Sequence, residues 1–350
     1  MESILLLIYF GTYTSGDSQG IYVGEFNTKS GQIQNVRLAG ESENPSFLEI
    51  HPSGKTLYSV SETADGAVSS WRINPDGSLK LLNTKPAEGD APCFVCVSPN
   101  GRYVGVANYT SGNLIMFRAE SDGRLGERCA MIQHTGSSVN KQRQNSPHAH
   151  SIQFSPDGKY VLAADLGIDQ LLVYRVEPDG NLIGLESGKL APGAGPRHFA
   201  FSADGRHVFV INELNCTATT FAFDDGKLTR EQTVSTLPEP FQQGYSTAEI
   251  LLHPSGKYVY GSNRGHDSIT AFSADTRGKL AQVSNFPSGG KTPRNFRISD
   301  DGNWLITANQ SSSDVFVFKV DLGTGKTKQV FETTVPNPVC VRFLSARKKR

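Results

Sequence analysis

One short turn recurs through this chain of 350 residues, and nothing else in the sequence restricts its fold as strongly. It appears as His51-Pro52-Ser53-Gly54, Ser98-Pro99-Asn100-Gly101, Ser155-Pro156-Asp157-Gly158, Ser202-Ala203-Asp204-Gly205, His253-Pro254-Ser255-Gly256 and Ser299-Asp300-Asp301-Gly302, about 50 residues apart on average. Pro presets φ at the first corner, Asp, Asn or Ser supports the turn through its side chain, and Gly supplies a positive φ. Each turn lies between two β-like runs, such as 46–50 and 56–60 around the first. A polar loop, a third apolar run (67–71, 113–117, 171–174, 219–223, 268–272, 315–318) and a weaker fourth follow. Four short strands per unit, without a long segment of 3.6 period, predict an all-β seven-bladed propeller of four antiparallel strands per blade.

The chain length divided by the repeat gives seven units. Six lie between the termini. The seventh is expected to form from both ends, with the N-terminal segment through Phe26 supplying its later strands and 337–343 its first. Such sharing closes the ring and removes exposed inner edges. The expectation is therefore one domain over residues 1–350.

Composition narrows the function. Lys plus Arg and Asp plus Glu both number 34, so the net charge is zero. That lacks the electrostatic footprint of a nucleic-acid binder. The apolar run 4–10 is far shorter than the ~20 residues of a spanning helix and reads as a buried strand, so no membrane partner is expected. The basic tail 347–350 reads as a solvated terminus. The five cysteines, Cys93, Cys96, Cys129, Cys216 and Cys340, are odd in number and form no compact framework. They point to reduced thiols in a cytoplasmic protein. Cys93 and Cys96 sit three apart on a strand and so face opposite sides.

Propeller topology places the chemistry. The first strand of a blade lies nearest the axis and runs from one mouth of the channel to the signature turn; the second strand returns. Positions seven or eight before each signature Gly, and seven or eight after it, therefore share one mouth. They include Cys93, His150, Arg197, His198, Glu249, Arg294 and Asn295 on first strands, and Glu62, Tyr109, Asn263, Glu213 and Arg264 after second strands. His148, just before its first strand, should overhang the same mouth. The Asn and Asp column at the end of second strands reads mostly as turn capping. The concentration of Arg and His is otherwise rare at strand ends near a core. Converging guanidiniums suit an anionic ligand, since Arg grips carboxylate and phosphate bidentately. The competing reading is a set of ion pairs between blades. No metal is expected, because three arginines would repel a cation, and no cofactor fingerprint occurs.

These segments resemble the seven-bladed lactonase family that holds the propeller-type 6-phosphogluconolactonases and the fungal carboxymuconate lactonizing enzymes. The resemblance is carried by Gly11-Thr12-Tyr13-Thr14, His148-Ala149-His150, Asp165-Leu166-Gly167, Gly195-Pro196-Arg197-His198, Asn212-Glu213-Leu214, Ala248-Glu249-Ile250, Ser262-Asn263-Arg264-Gly265 and Pro293-Arg294-Asn295-Phe296, and it spans essentially the whole chain. Cys93 at a mouth position is unusual. The resemblance implies hydrolysis of 6-phospho-D-glucono-1,5-lactone to the open acid. It also implies that His148 or His150, Arg197, Glu213 and Arg264 are site residues.

A lactone needs a water nucleophile, a base and a donor for the developing oxyanion. Glu213 is the first candidate for base, with His148 or His150 as rival base or as acid toward the leaving oxygen. Arg197 is assigned to the oxyanion, and Arg264 and Arg294 to the phosphate. His198, Glu249 and Asn263 complete the expected substrate contacts. A muconate-type lactonizing enzyme and a non-enzymatic ligand- or protein-binding propeller stay open as alternatives. The expected partner is a small anionic lactone, and the expected state a monomer or weak homodimer.

Overall fold

The computed structural model describes residues 4–344; the basic run 347–350 lies outside the described residues. These residues form 29 strands and no helix, arranged as seven antiparallel sheets. Six blades follow one another at 48–86, 92–133, 149–189, 196–235, 246–287 and 293–334. The seventh has Pro338–Phe343 as its innermost strand, with Leu5–Thr12, Gly20–Asn27 and Ile33–Glu41 outside it. The expected sharing of one blade between the termini is thus observed. The third blade departs from the plain pattern: its outer edge is split into Leu182–Gly184 and Gly188–Lys189, both paired with Gln170–Val176.

Each signature turn joins the first two strands of its blade, and its Gly adopts φ between +66° and +74°. Where His opens the turn it also bridges blades. His51 Nε2 lies 3.0 Å from the carbonyl of Gly101, and His253 Nε2 2.8 Å from that of Gly302, each in the next signature turn.

A second lateral device escaped the sequence reading. Aromatic side chains on second strands donate hydrogen bonds into the outer turn of the next blade. Tyr58 donates to Gly123 O at 3.0 Å, Tyr103 to Pro178 O at 2.9 Å, Tyr260 to Gly325 O at 2.7 Å and Trp304 to Thr28 O at 2.9 Å. Tyr9 of the closing blade does the same to Gly77 O at 2.9 Å. The rings fill the space between sheets while the polar tips satisfy carbonyls that would otherwise be buried unpaired.

The feature that shapes the mouth is a slip of register. In six blades the innermost strand carries an extra residue near its mouth end. Cys93, His150, Arg197, Arg294 and Val339 are the unpaired residues in five of them, and the fifth blade slips at Ala248-Glu249. A β-bulge of this sort takes a residue out of the ladder and re-aims its side chain.

Candidate active site

The bulged residues converge on the axis. Cys93, His150, Arg197, Arg294 and Val339 line one cavity, with His198 beside them. The space they enclose is tight, with room for about one water-sized sphere. Cys93 Sγ lies 3.7 Å from His150 Nδ1, and burial pushes the thiol upward, so it stays protonated.

Glu213 forms the electrostatic centre. It follows the strand His207–Asn212 and its amide donates to Gly195 O at 2.7 Å. One oxygen accepts from Arg143 at 2.6 Å, and the other lies 2.9 Å from Arg264 Nη2 and 3.1 Å from Arg197 Nε. Burial alone would raise this carboxyl, but Arg264, Arg197, His150 and Arg143 together hold it well below the ordinary carboxylate value. Burial, aided by Arg294 and Arg264, pushes Arg197 down to about 10.

Arg143 was not anticipated. It lies in the longest connection between blades, residues 134–148, outside the repeat that located the other residues. Its side chain is 41 % exposed and also donates to Tyr109 Oη at 3.1 Å. The Tyr109 ring stacks on His148 at 4.6 Å and 18°. His148 Nδ1 is 2.9 Å from the carbonyl of Tyr109. A carbonyl only accepts, so Nδ1 carries the proton and Nε2 keeps its lone pair, in a half-buried ring at the mouth.

His150 and His198 differ from His148. Burial, then the charge of Arg197, holds both well below the usual histidine value. Arg197 Nη1 donates to His198 Nε2 at 3.2 Å, so His198 Nδ1 is the protonated nitrogen and donates to Glu249 at 2.9 Å. Burial raises Glu249 to about 7.

Arg294 stacks over the ring of Tyr13 at 5.2 Å and donates to its hydroxyl at 2.7 Å. Tyr13 in turn donates to Glu62 at 2.9 Å. Both partners lay within the sequence motifs, but their pairing across two blades carried no local signal.

Two expected substrate contacts are corrected. Asn263 is fully buried: Nδ2 donates to Thr236 O at 3.1 Å and Oδ1 accepts from Thr236 Oγ1 at 2.6 Å, with Ser268 and Thr270 completing the set. Its amide is consumed by its own blade and by the connection that leads into it, in line with the capping reading of the Asn column. Glu249 lies behind His198, where it accepts from His198, from Ile250 N at 3.0 Å and from Asn295. It supports the cavity wall and does not form it. Arg197, Glu213, Arg264 and Arg143 are one connected cluster; His148 joins it through Tyr109, and Arg294 faces it across the cavity.

Among the described residues no group of three or more His, Cys, Asp or Glu side chains has metal-binding geometry. Arginines gather around Glu213, so fold and site together define a seven-bladed propeller with an arginine-rich cluster among its inner strands and loops. The chain belongs to the seven-bladed β-propeller lactonase family: the family described as "Lactonase, 7-bladed beta-propeller" matches residues 7–343. It is 36 % identical over 343 residues to a 6-phosphogluconolactonase of Bacillus subtilis (strain 168), covering 96 % of this chain and 97 % of that one. A 6-phosphogluconolactonase of Formosa agariphila is 34 % identical, over 94 % of this chain and 97 % of its own. The solved structure of the Pseudomonas aeruginosa periplasmic gluconolactonase, PpgL, aligns with a TM-score of 0.93 at 32 % identity, covering 98 % of this chain and 99 % of that one. The chain is therefore lactonase-like in family as well as in architecture.

Proposed function

We propose that the chain hydrolyses 6-phospho-D-glucono-1,5-lactone to 6-phosphogluconate at this mouth. The carrying observation is the local charge. Arg143, Arg197, Arg264 and Arg294 gather with Glu213 and Glu62, an excess of two positive charges in one region of the fold. A phosphate dianion matches that excess, and guanidiniums bind it through paired N–H donors. The names of the Bacillus and Formosa relatives support the same substrate.

In this reading His148 takes the proton of the attacking water, because its Nε2 is free while Glu213 is spent on three arginines. Glu213, first candidate for base in the sequence, becomes the anchor that aligns the guanidiniums. Water adds to the lactone carbonyl, and Arg197 stabilises the oxyanion. The ring C–O bond then breaks, and the proton held by His148 passes to the departing ring oxygen. Arg264 and Arg294 hold the phosphate, with Arg143 at the rim.

Purified protein with a chelator present should open freshly made 6-phosphogluconolactone faster than the uncatalysed background. No acceleration would refute the assignment. His148→Gln should lower kcat about a hundredfold or more with a small change in KM. Wild-type kcat in that variant would return the base role to Glu213. Arg294→Ala should raise KM for the phosphorylated lactone about tenfold to a hundredfold and barely affect the unphosphorylated one. Equal losses on both substrates would contradict a phosphate contact.

A further inference from the structure

The opposite end of the channel carries charges that the mouth chemistry does not use. Three neighbouring innermost strands, Pro293–Ile298, Pro338–Phe343 and Leu48–Ile50, each place a charged residue one position before their last: Arg297, Arg342 and Glu49. The three are thus level with one another at the turn-side end of the axis, across the junction between the sixth blade and the closing strand.

Their pairing is incomplete. Arg342 Nε is 3.2 Å from Glu49 Oε2, Nη1 donates to Val341 O at 2.8 Å, and the guanidinium lies 4.6 Å over the ring of Phe47. Its Nη2 has no acceptor among the described residues. Arg297 is less satisfied still. Its Nε is sealed from solvent without an acceptor, and it forms no ion pair with any described carboxylate. The charges it senses most are Arg342, then Glu49, Asp300 and Glu249. None of these acids neutralises it. Glu49 is engaged by Arg342, Asp300 sits on an exposed turn, and the oxygens of Glu249 are occupied by His198, Ile250 and Asn295.

Two guanidiniums therefore lie near one carboxylate, and only Arg342 is paired with it. Arg297 is part-buried, and a sealed donor without an acceptor in a native fold needs a partner, an ordered water or an ion among them. We infer that a small oxyanion binds between Arg297 and Arg342 at the turn-side end of the channel, separate from the active mouth. The free N–H edges of both residues suit carboxylate or phosphate oxygens. Because the pair straddles the sixth blade and the closing strand, the anion would also fasten the ring at its seam.

Thermal unfolding and calorimetric titration of the full chain with inorganic phosphate, and separately with acetate, test this. At least one should bind and raise the unfolding midpoint of the wild type; which one does so assigns the anion class. The effect should persist in Arg264→Gln, altered at the mouth, and weaken at least about tenfold in Arg297→Gln, which loses a charge-assisted contact. Glu49→Gln should change affinity in the opposite direction, tightening it by releasing Arg342, a gain that impaired folding cannot imitate. Wild-type affinity in Arg297→Gln, no tightening in Glu49→Gln, or no response of the wild type to either anion would overturn the site. Lactone turnover plays no part in these readouts, so they stand or fall independently of the proposed reaction.

Discussion

Glu213→Gln should lose at least about a hundredfold in kcat and melt at a lower temperature than the wild type. Gln preserves the size of the side chain but removes the charge that holds Arg143, Arg197 and Arg264 together. Removing one partner of a buried ion pair typically costs about 3–5 kcal/mol, because the remaining charge stays desolvated. The penalty comes from Arg197 and Arg264, since Arg143 is well exposed and water will screen it. Activity falls because the guanidiniums splay apart and no longer meet the oxyanion and phosphate. The pH dependence carries a definite sign. The folded carboxyl lies well below its ordinary 4.5, so its stabilisation is complete above that pH and fades as the pH drops toward the folded value. Acid-induced loss of stability should therefore be shallower in Glu213→Gln. Calorimetric midpoints across the acid range, together with steady-state kinetics, check both halves. Unchanged kcat would remove Glu213 from the machinery.

Truncation after Asn337 should abolish the cooperative fold. The deleted strand, Pro338–Phe343, is buried throughout and pairs with Leu5–Thr12 in the closing blade. Val339, Val341 and Phe343 are each at most 7 % exposed. Burying one such side chain contributes about 1.5–3 kcal/mol, so the three together approach the whole 5–15 kcal/mol margin of a typical fold. The truncated chain would also present Leu5–Thr12 as an unpaired inner edge, an invitation to aggregate. Far-UV circular dichroism and size-exclusion chromatography should show loss of the sharp transition and association into larger species. A monomer with a wild-type melting profile would mean that the shared blade is dispensable.

Much of this architecture was legible because the turn signature repeats. Once Gly54 through Gly302 set the blade register, a fixed offset assigned His150, Arg197, Glu213, Arg264 and Arg294 to one mouth; in the structure Arg197 and Arg264 meet at Glu213, and His150, Arg197 and Arg294 line one cavity. The same offset could not separate residues that face the cavity from those turned into their own blade. Asn263 and Glu249 share the right positions, but their hydrogen bonds are spent locally or behind His198. Arg143 was invisible for the opposite reason: an inserted loop has no register to inherit. Contacts between distant segments, such as Arg294 with Tyr13 and Trp304 with Thr28, leave no trace in local pattern either. The length of the 134–148 connection was the available clue, since long loops in compact domains are often functional.

The slipped register of the innermost strands has an evolutionary corollary. A residue outside the ladder makes no cross-strand pair, so exchanging it leaves the sheet's backbone bonding untouched. Cys93, His150, Arg197, Arg294 and Val339 thus occupy positions where the side chain can change without breaking a ladder bond. A propeller built this way offers a ring of interchangeable sockets. New substrates become reachable by refitting one socket at a time.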